Sequence, residues 1–303
     1  MGIFRRLTTL AQESEPFKIQ VTIPNGGANF TLPITQVVTP TQTYNPNITV
    51  SWGDASSSVI TSATDIDRIH TYTNTSGLPV NRTITISGFM PGFEVNNSTA
   101  TRSYITAIID FGIVGLRKLN FYGCTNITSI PASGTMVAGY EGLNEMLNFS
   151  DFMRGTKITA IPSNIFQYAI KATNFTNAFY LTPITSVSSN IFEYNIDALT
   201  FESCFGACTS LTSVVSTIFD TNTNVQSFNT TFFNCTKLTS ALTFTNNTNV
   251  LTFAGVYKMT TTSNLMDGNA PTIWLRSPQP VGTEAFRNCL GLDNYASIPA
   301  NFK

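Results

Sequence analysis

The sequence predicts a mainly β protein with short helices: a small β-sandwich followed by a solenoid of about 27-residue units. Three observations lead there. A Phe is followed three residues later by a Cys at Phe121-Cys124, Phe205-Cys208, Phe232-Cys235 and Phe286-Cys289, and Cys208, Cys235 and Cys289 are separated by one and then two 27-residue steps. A fixed period of this size marks an array whose units bury their apolar faces against one another. The N-terminal third instead offers short alternating strands divided by turn clusters. The expected organisation is an anchor segment over 1–16, the sandwich over 17–103 and the solenoid over 104–303.

In the sandwich, the strands are Ile19-Gln20-Val21-Thr22-Ile23, Ile48-Thr49-Val50-Ser51-Trp52 and Thr83-Ile84-Thr85-Ile86. Pro24-Asn25-Gly26-Gly27 and Asn74-Thr75-Ser76-Gly77 supply the turns. The repeat is then traced by aromatics at Phe121, Phe152, Phe179, Phe205, Phe232, Tyr257 and Phe286. An apolar-Thr-Ser/Ala-apolar strip follows most of them, as in Ile184-Thr185-Ser186-Val187 and Leu211-Thr212-Ser213-Val214, and suits a short strand with one buried face. A further mark recurs at Ile165-Phe166, Ile191-Phe192 and Ile218-Phe219. Phe175-x-x-x-Phe179, Phe201-x-x-x-Phe205, Phe228-x-x-x-Phe232 and Phe253-x-x-x-Tyr257 place apolar residues four apart, the spacing of one helical face. Each unit therefore reads as a short helix, a bend at the Cys, a short strand and a loop.

Of the five cysteines, all but Cys204 share one slot of the repeat. Two readings stand: a disulfide framework, or a ladder of buried free thiols. The charged fraction is 11%, well below the usual quarter, and the net charge is −1. This excludes an electrostatic footprint for nucleic acid, and no apolar run is long enough to span a membrane. His70 is the sole histidine. It reads either as a general base beside Asp54, Asp65 and Asp67 or as a hydrogen-bonded structural residue, and the same three carboxylates could hold calcium. No phosphate loop, nucleophile elbow or zinc motif occurs in a fitting context. The expectation is no enzyme, with no catalytic or metal residues and no cofactor.

Trp52-Gly53-Asp54 followed by His70-Thr71-Tyr72 and the Thr83–Ile86 strand resembles the fingerprint of PKD-like domains, which are immunoglobulin-like sandwiches. The resemblance implies core roles for Trp52 and Tyr72, a structural His70 and a turn at Gly53-Asp54. The sequence departs from it at Ala55, where a second turn Gly is usual, and in the longer Gly77–Arg82 segment. Together with Tyr104–Leu116 and the Phe-x-x-Cys-Thr-x-Ile/Leu-Thr-Ser units, the chain over roughly 45–303 resembles the BspA-like leucine-rich-repeat proteins. These occur on bacterial surfaces and in the virions of tailed phages, so the resemblance implies adhesion or display. The expected function is that of a phage virion structural protein: a head fibre, capsid decoration or tail-associated protein. Its partners would be other virion proteins, capsid or tail, met through the N-terminal segment, together with a host-surface glycan or protein. The alternative is a bacterial cell-surface adhesin.

Two local expectations complete the reading. The stretched repeat around 249–282 carries Trp274, a candidate binding residue or the core side of a strand, and its 260–270 segment reads as dispensable for folding. The array stops at Ser297–Lys303 without a cap, which predicts an exposed apolar end and hence a homo-oligomer.

Overall fold

The computed structural model describes residues 15–95, 99–131 and 146–303. All but the last two residues of the expected anchor segment lie outside that range. The fold is mainly β with few short helices. In chain order, ten strands come first: β1 (Phe17–Ile23), β2 (Ala28–Thr31), β3 (Ile34–Thr35), β4 (Val37–Val38), β5 (Thr43–Tyr44), β6 (Asn47–Ser51), β7 (Ser57–Ile60), β8 (Ile69–Tyr72), β9 (Val80–Phe89) and β10 (Gly92–Glu94). Helix α1 (Thr99–Tyr104), β11 (Ile105–Asp110), β12 (Lys118–Asn120), β13 (Ser186–Val187) and β14 (Ser213–Val214) follow.

The largest sheet is antiparallel, in the order β11-β1-β9-β6-β7. Strict alternation on β1 sends Phe17, Ile19, Val21 and Ile23 inward, where Ile48 and Val50 of β6 and Ile84 and Ile86 of β9 are also buried. The separate β2–β8 ribbon adds Phe30 and Tyr72 to the same core. The sequence had placed Ile105–Asp110 with the repeats, beyond residue 103. That strand pairs with β1 instead, Val21 opposite Ile105 and Ile19 opposite Ile108. Its two inward residues, Ile105 and Ile108, need the cover this sheet provides.

From β12 onward the chain climbs in parallel rungs. Lys118, Asn148, Asn174, Thr200, Ser227, Thr252 and Val281 bridge one to the next. Three columns of parallel rings run beside them. Phe179, Phe205, Phe232, Tyr257 and Phe286 stack at centroid distances of 5.3–5.8 Å. Phe149, Phe175, Phe201, Phe228 and Phe253 do so at 5.2–5.9 Å, and Phe166, Phe192, Phe219 and Phe244 at 5.6–6.4 Å. Offset stacking adds about 0.5–1.5 kcal/mol per pair beyond area burial.

The Phe-x-x-x-Phe segments are not helical. Phe175, Asn177, Phe179 and Leu181 donate their N–H groups to Thr200, Glu202, Cys204 and Gly206 of the next coil, while Ala178, Tyr180 and Thr182 donate back three residues to Phe175, Asn177 and Phe179. A left-handed residue at every fourth position, Asn177 (φ 56°) and Leu181 (φ 59°), then Ser203 (φ 52°) and Ala207 (φ 57°), turns the alternate peptides outward along the ladder. Four-residue turns repeated in this way put apolar side chains on one side just as a helix does, which is why the spacing misled. Of the four strips read as short strands, Ile184–Val187 and Leu211–Val214 hold the pair Ser186–Val187 and Ser213–Val214, joined in parallel, whereas Ile127-Thr128-Ser129-Ile130 and Ile158-Thr159-Ala160-Ile161 form no strand.

Candidate functional site

The cluster around Trp52 is built on the turn that leaves β6. Trp52 N–H closes the turn on Ser56 O at 3.1 Å. Gly53 sits at φ +80°, and a Cβ there would lie 2.6 Å from Thr83 O, so only glycine fits. Asp54 Oδ1 accepts from the Ser56 N–H and hydroxyl, and Oδ2 lies 2.7 Å from His70 Nε2. The His70 ring stacks on Trp52 at 4.7 Å and meets the edge of Tyr72 at 4.4 Å. Tyr72 donates its hydroxyl to Trp52 O at 2.8 Å, and Trp52 Nε1 donates to Ser58 Oγ at 3.0 Å.

All five fingerprint residues therefore converge. Burial raises the Asp54 carboxyl, but the hydrogen bonds from Ser56 and His70 outweigh it and hold the group at about 2. Burial and then the Asp54 charge push the Tyr72 hydroxyl upward. With both carboxylate oxygens engaged, the assembly works as a clamp on the Gly53–Ser56 turn. Asp65 is occupied elsewhere: it accepts from Asp67 N–H and Thr61 N–H and caps the single turn Ile66–Arg68. Among the described residues, no three His, Cys, Asp or Glu side chains come together.

The five cysteines are free and buried. Cys208, Cys235 and Cys289 donate their thiols to Phe179 O, Phe205 O and Tyr257 O at 3.0–3.1 Å. In two coils without Cys, Thr156 and Thr182 fill the slot, donating to Met153 O and Phe179 O. Burial pushes Cys208 up to about 11 and Cys124 and Cys289 up to about 12, which keeps these thiols protonated and inert.

One aromatic assignment shifts by a residue. Phe121 N–H bonds Phe152 O, Met153 N–H bonds Ala178 O and Phe179 N–H bonds Cys204 O, so Met153 holds the slot given to Phe152. Phe152 meets the Phe179 ring edge-on, at 83°. Gly155 (φ 69°) then takes the left-handed corner that Leu181 and Ala207 hold in later coils, so Met153 and Thr156 keep register. Phe121 packs on Phe17 and Phe93, joining the first coil to the sheet.

Trp274 stands in a single 3-10 turn, Ile273–Leu275, rather than a strand, because Pro271 and the Arg276–Pro280 run break any extended pairing. Partly buried, it meets Phe286 and Phe302 edge-on, both at 6.2 Å. The expected open end is covered. Glu284 and Phe286 donate to Asn301 O and Phe302 O, and the Phe302 side chain is fully buried. The apolar end that called for a second subunit is thus closed by the chain itself. The 260–270 segment is tied into the coils: Met266 and Ala270 are buried, and Leu265 and Asp267 donate to Thr236 O and Thr239 O.

The outward rows carry the exposed chemistry. At each corner Asn148, Asn174, Thr200, Ser227 or Thr252 accepts from the N–H two residues on, a bond that Asn, Ser and Thr side chains can make. On one edge the Arg154 guanidinium lies 4.8 Å from the Tyr122 ring and 5.2 Å from Tyr180. A cleft of about 330 Å³ opens between the β4–β5 hairpin and the first rungs, lined by Val37, Thr39, Arg117, Lys118 and Asn148 among others.

The sequence reading missed a column of buried amides. Asn195, Asn222 and Asn247 each donate Nδ2 to two carbonyls of the preceding coil, Phe166 and Ala169, Phe192 and Asn195, and Phe219 and Asn222. Arg276 ends the column, donating to Phe244 O and Asn247 O. The signal was available as Phe-x-x-Asn at Phe192, Phe219 and Phe244. Comparison with family models, curated proteins and solved structures finds no match for this chain.

Proposed function

We propose that the chain is a non-enzymatic structural protein of a tailed-phage virion, a head fibre, capsid decoration or tail-associated protein. In this reading a PKD-like β-sandwich is followed by a leucine-rich-repeat-like solenoid that presents a repeat surface for adhesion or host-surface binding. The observation that carries it is the division of labour within each coil. Ring columns, thiols and the Asn195–Asn222–Asn247 column fix the interior. The outward positions hold small polar residues that can vary without disturbing that interior. A partner would meet Asn, Thr, Ser, Tyr and Arg side chains, with few ion pairs and little dependence on salt.

The test is immunogold electron microscopy of purified particles with an antibody to this chain. Labelling at one place on the head or tail is the expected result. Recovery in a bacterial envelope fraction, with unlabelled particles, would overturn the reading in favour of a cell-surface adhesin.

A further inference from the structure

A buried carboxylate joins two reactive side chains where the sheet region meets the first rung. The parallel pair β10–β12 sets Glu94 opposite Asn120, with Lys118 on the same face two residues earlier. Glu94 Oε1 lies 2.6 Å from Lys118 Nζ and accepts from Asn120 Nδ2 at 3.3 Å. Its other oxygen accepts from Thr35 Oγ1 at 3.1 Å, which fixes the carboxylate plane. The Glu94 side chain is 10% exposed and Asn120 4%, while Lys118 reaches in from the edge at 36%. The carbonyl end, Asn120 Oδ1, faces the Tyr122 N–H at 3.5 Å.

We propose that Lys118 and Asn120 form an intramolecular amide, with Glu94 as the proton carrier. Glu94 takes a proton from the Lys118 ammonium, and the freed amine attacks Cγ of Asn120 while the Tyr122 N–H stabilises the oxygen. The Cγ–Nδ2 bond breaks as Glu94 returns its proton to Nδ2, which leaves as ammonia. The remaining amine proton passes to Glu94 and on to solvent. No oxidant, metal or cofactor takes part; an amine and a primary amide become a secondary amide and ammonia. One oxygen already in contact with both nitrogens makes the transfer short, as general acid–base catalysis requires. The two side chains share a strand face two residues apart, and a Lys stem spans that separation. The product removes a cation from the seam and leaves Glu94 with a neutral hydrogen-bond donor.

Intact mass spectrometry of the full chain, followed by tryptic mapping, tests the proposal. The expected result is loss of one ammonia, localised to Lys118–Asn120, with trypsin no longer cutting after Lys118. Glu94→Gln should slow formation by roughly 100-fold or more. Asn120 can also lose ammonia by closing on its own backbone, and Lys118→Arg separates the two routes. Restoration of the full mass in Lys118→Arg supports the amide. An unmodified wild-type mass, cleavage after Lys118, or ammonia loss that persists in Lys118→Arg would each overturn it.

Discussion

The two halves of the molecule solve the same problem, pairing every buried peptide group, by opposite means. In the sheet region β1 finds its partners in β9 and β11, which lie far along the chain. In the ladder each coil bonds the next at a nearly constant interval, and its remaining N–H groups turn back within their own four-residue turns. Long-range register makes the sheet region an all-or-none unit. Neighbour-only contact makes the ladder's stability a sum of coil and interface contributions.

The largest effect that tests this difference is Phe205→Ala. The ring is fully buried and stacked 5.7 Å from both Phe179 and Phe232. Its removal should cost about 3–5 kcal/mol. The loss should appear in amide exchange as weakened protection of the coils around 179–232, with β1, β6 and β9 still protected. Equal loss in both regions would show the halves to be one cooperative unit. Next comes Asn222→Ala, which removes the side-chain donor from Phe192 O and Asn195 O and leaves them the backbone N–H groups of Asn195 and Ala198. About 1–2 kcal/mol is expected from the two lost hydrogen bonds, again confined to neighbouring coils. Chemical denaturation of the variant beside the wild type reads it directly.

This contrast also explains what could be read from the amino-acid order. Stacked columns need like residues in like slots, so Phe179, Phe205 and Phe232 announce themselves by period alone. The Trp52–Asp54–His70–Tyr72 cluster was legible only through the resemblance to PKD-like domains, since no local period joins residues 52–54 to 70–72. The secondary structure of the coils was not. Four-spaced apolar residues satisfy both an α-helix and a run of turns with left-handed corners, and nothing in Leu181, Ala207 or Thr230 advertises a positive φ. The slip from Met153 to Phe152 has the same root, since an aromatic beside the true slot outweighs a methionine inside it. The Glu94–Lys118–Asn120 contact is set by a pairing between β10 and β12 that no local pattern encodes.

Acid should separate the halves. Asp54 is held at about 2 in the fold against an ordinary value of 3.8. A carboxyl whose folded value is depressed contributes stability that is complete above the ordinary value and disappears as pH falls toward the folded one. The sheet region should therefore weaken between about pH 4 and pH 2. In the ladder, Glu284 is also held low, by Lys258 first and then Arg287, but it lies at the surface of the last coils. The chain has two tryptophans, one in each region, so Trp274→Phe leaves Trp52 as the reporter of the sheet. Its fluorescence transition should move with acid, and adding Asp54→Asn should flatten that movement. An unchanged slope would remove Asp54 from the clamp.

The smallest effect gives the most even-handed comparison, because one alanine in each half sits in the left-handed region. Ala55 has φ 71° in the turn after Trp52, and Ala207 has φ 57° beside the Cys208 corner. An L side chain pays about 1–2 kcal/mol there, and the extra freedom glycine brings to the unfolded chain returns part of it. Ala55→Gly and Ala207→Gly should each stabilise by about 0.5–1 kcal/mol. The intrinsic gain is the same, so what differs is where it is felt. At Ala55 it should raise the whole sheet transition followed at Trp52. At Ala207 it should be spent on the coils that share its rungs, slowing amide exchange there while the Trp52 transition stays in place. If Ala207→Gly moved the Trp52 transition as much as Ala55→Gly does, stability would be passing from coil to sheet through the Phe121–Phe17–Phe93 contact, and the neighbour-only description of the ladder would fail.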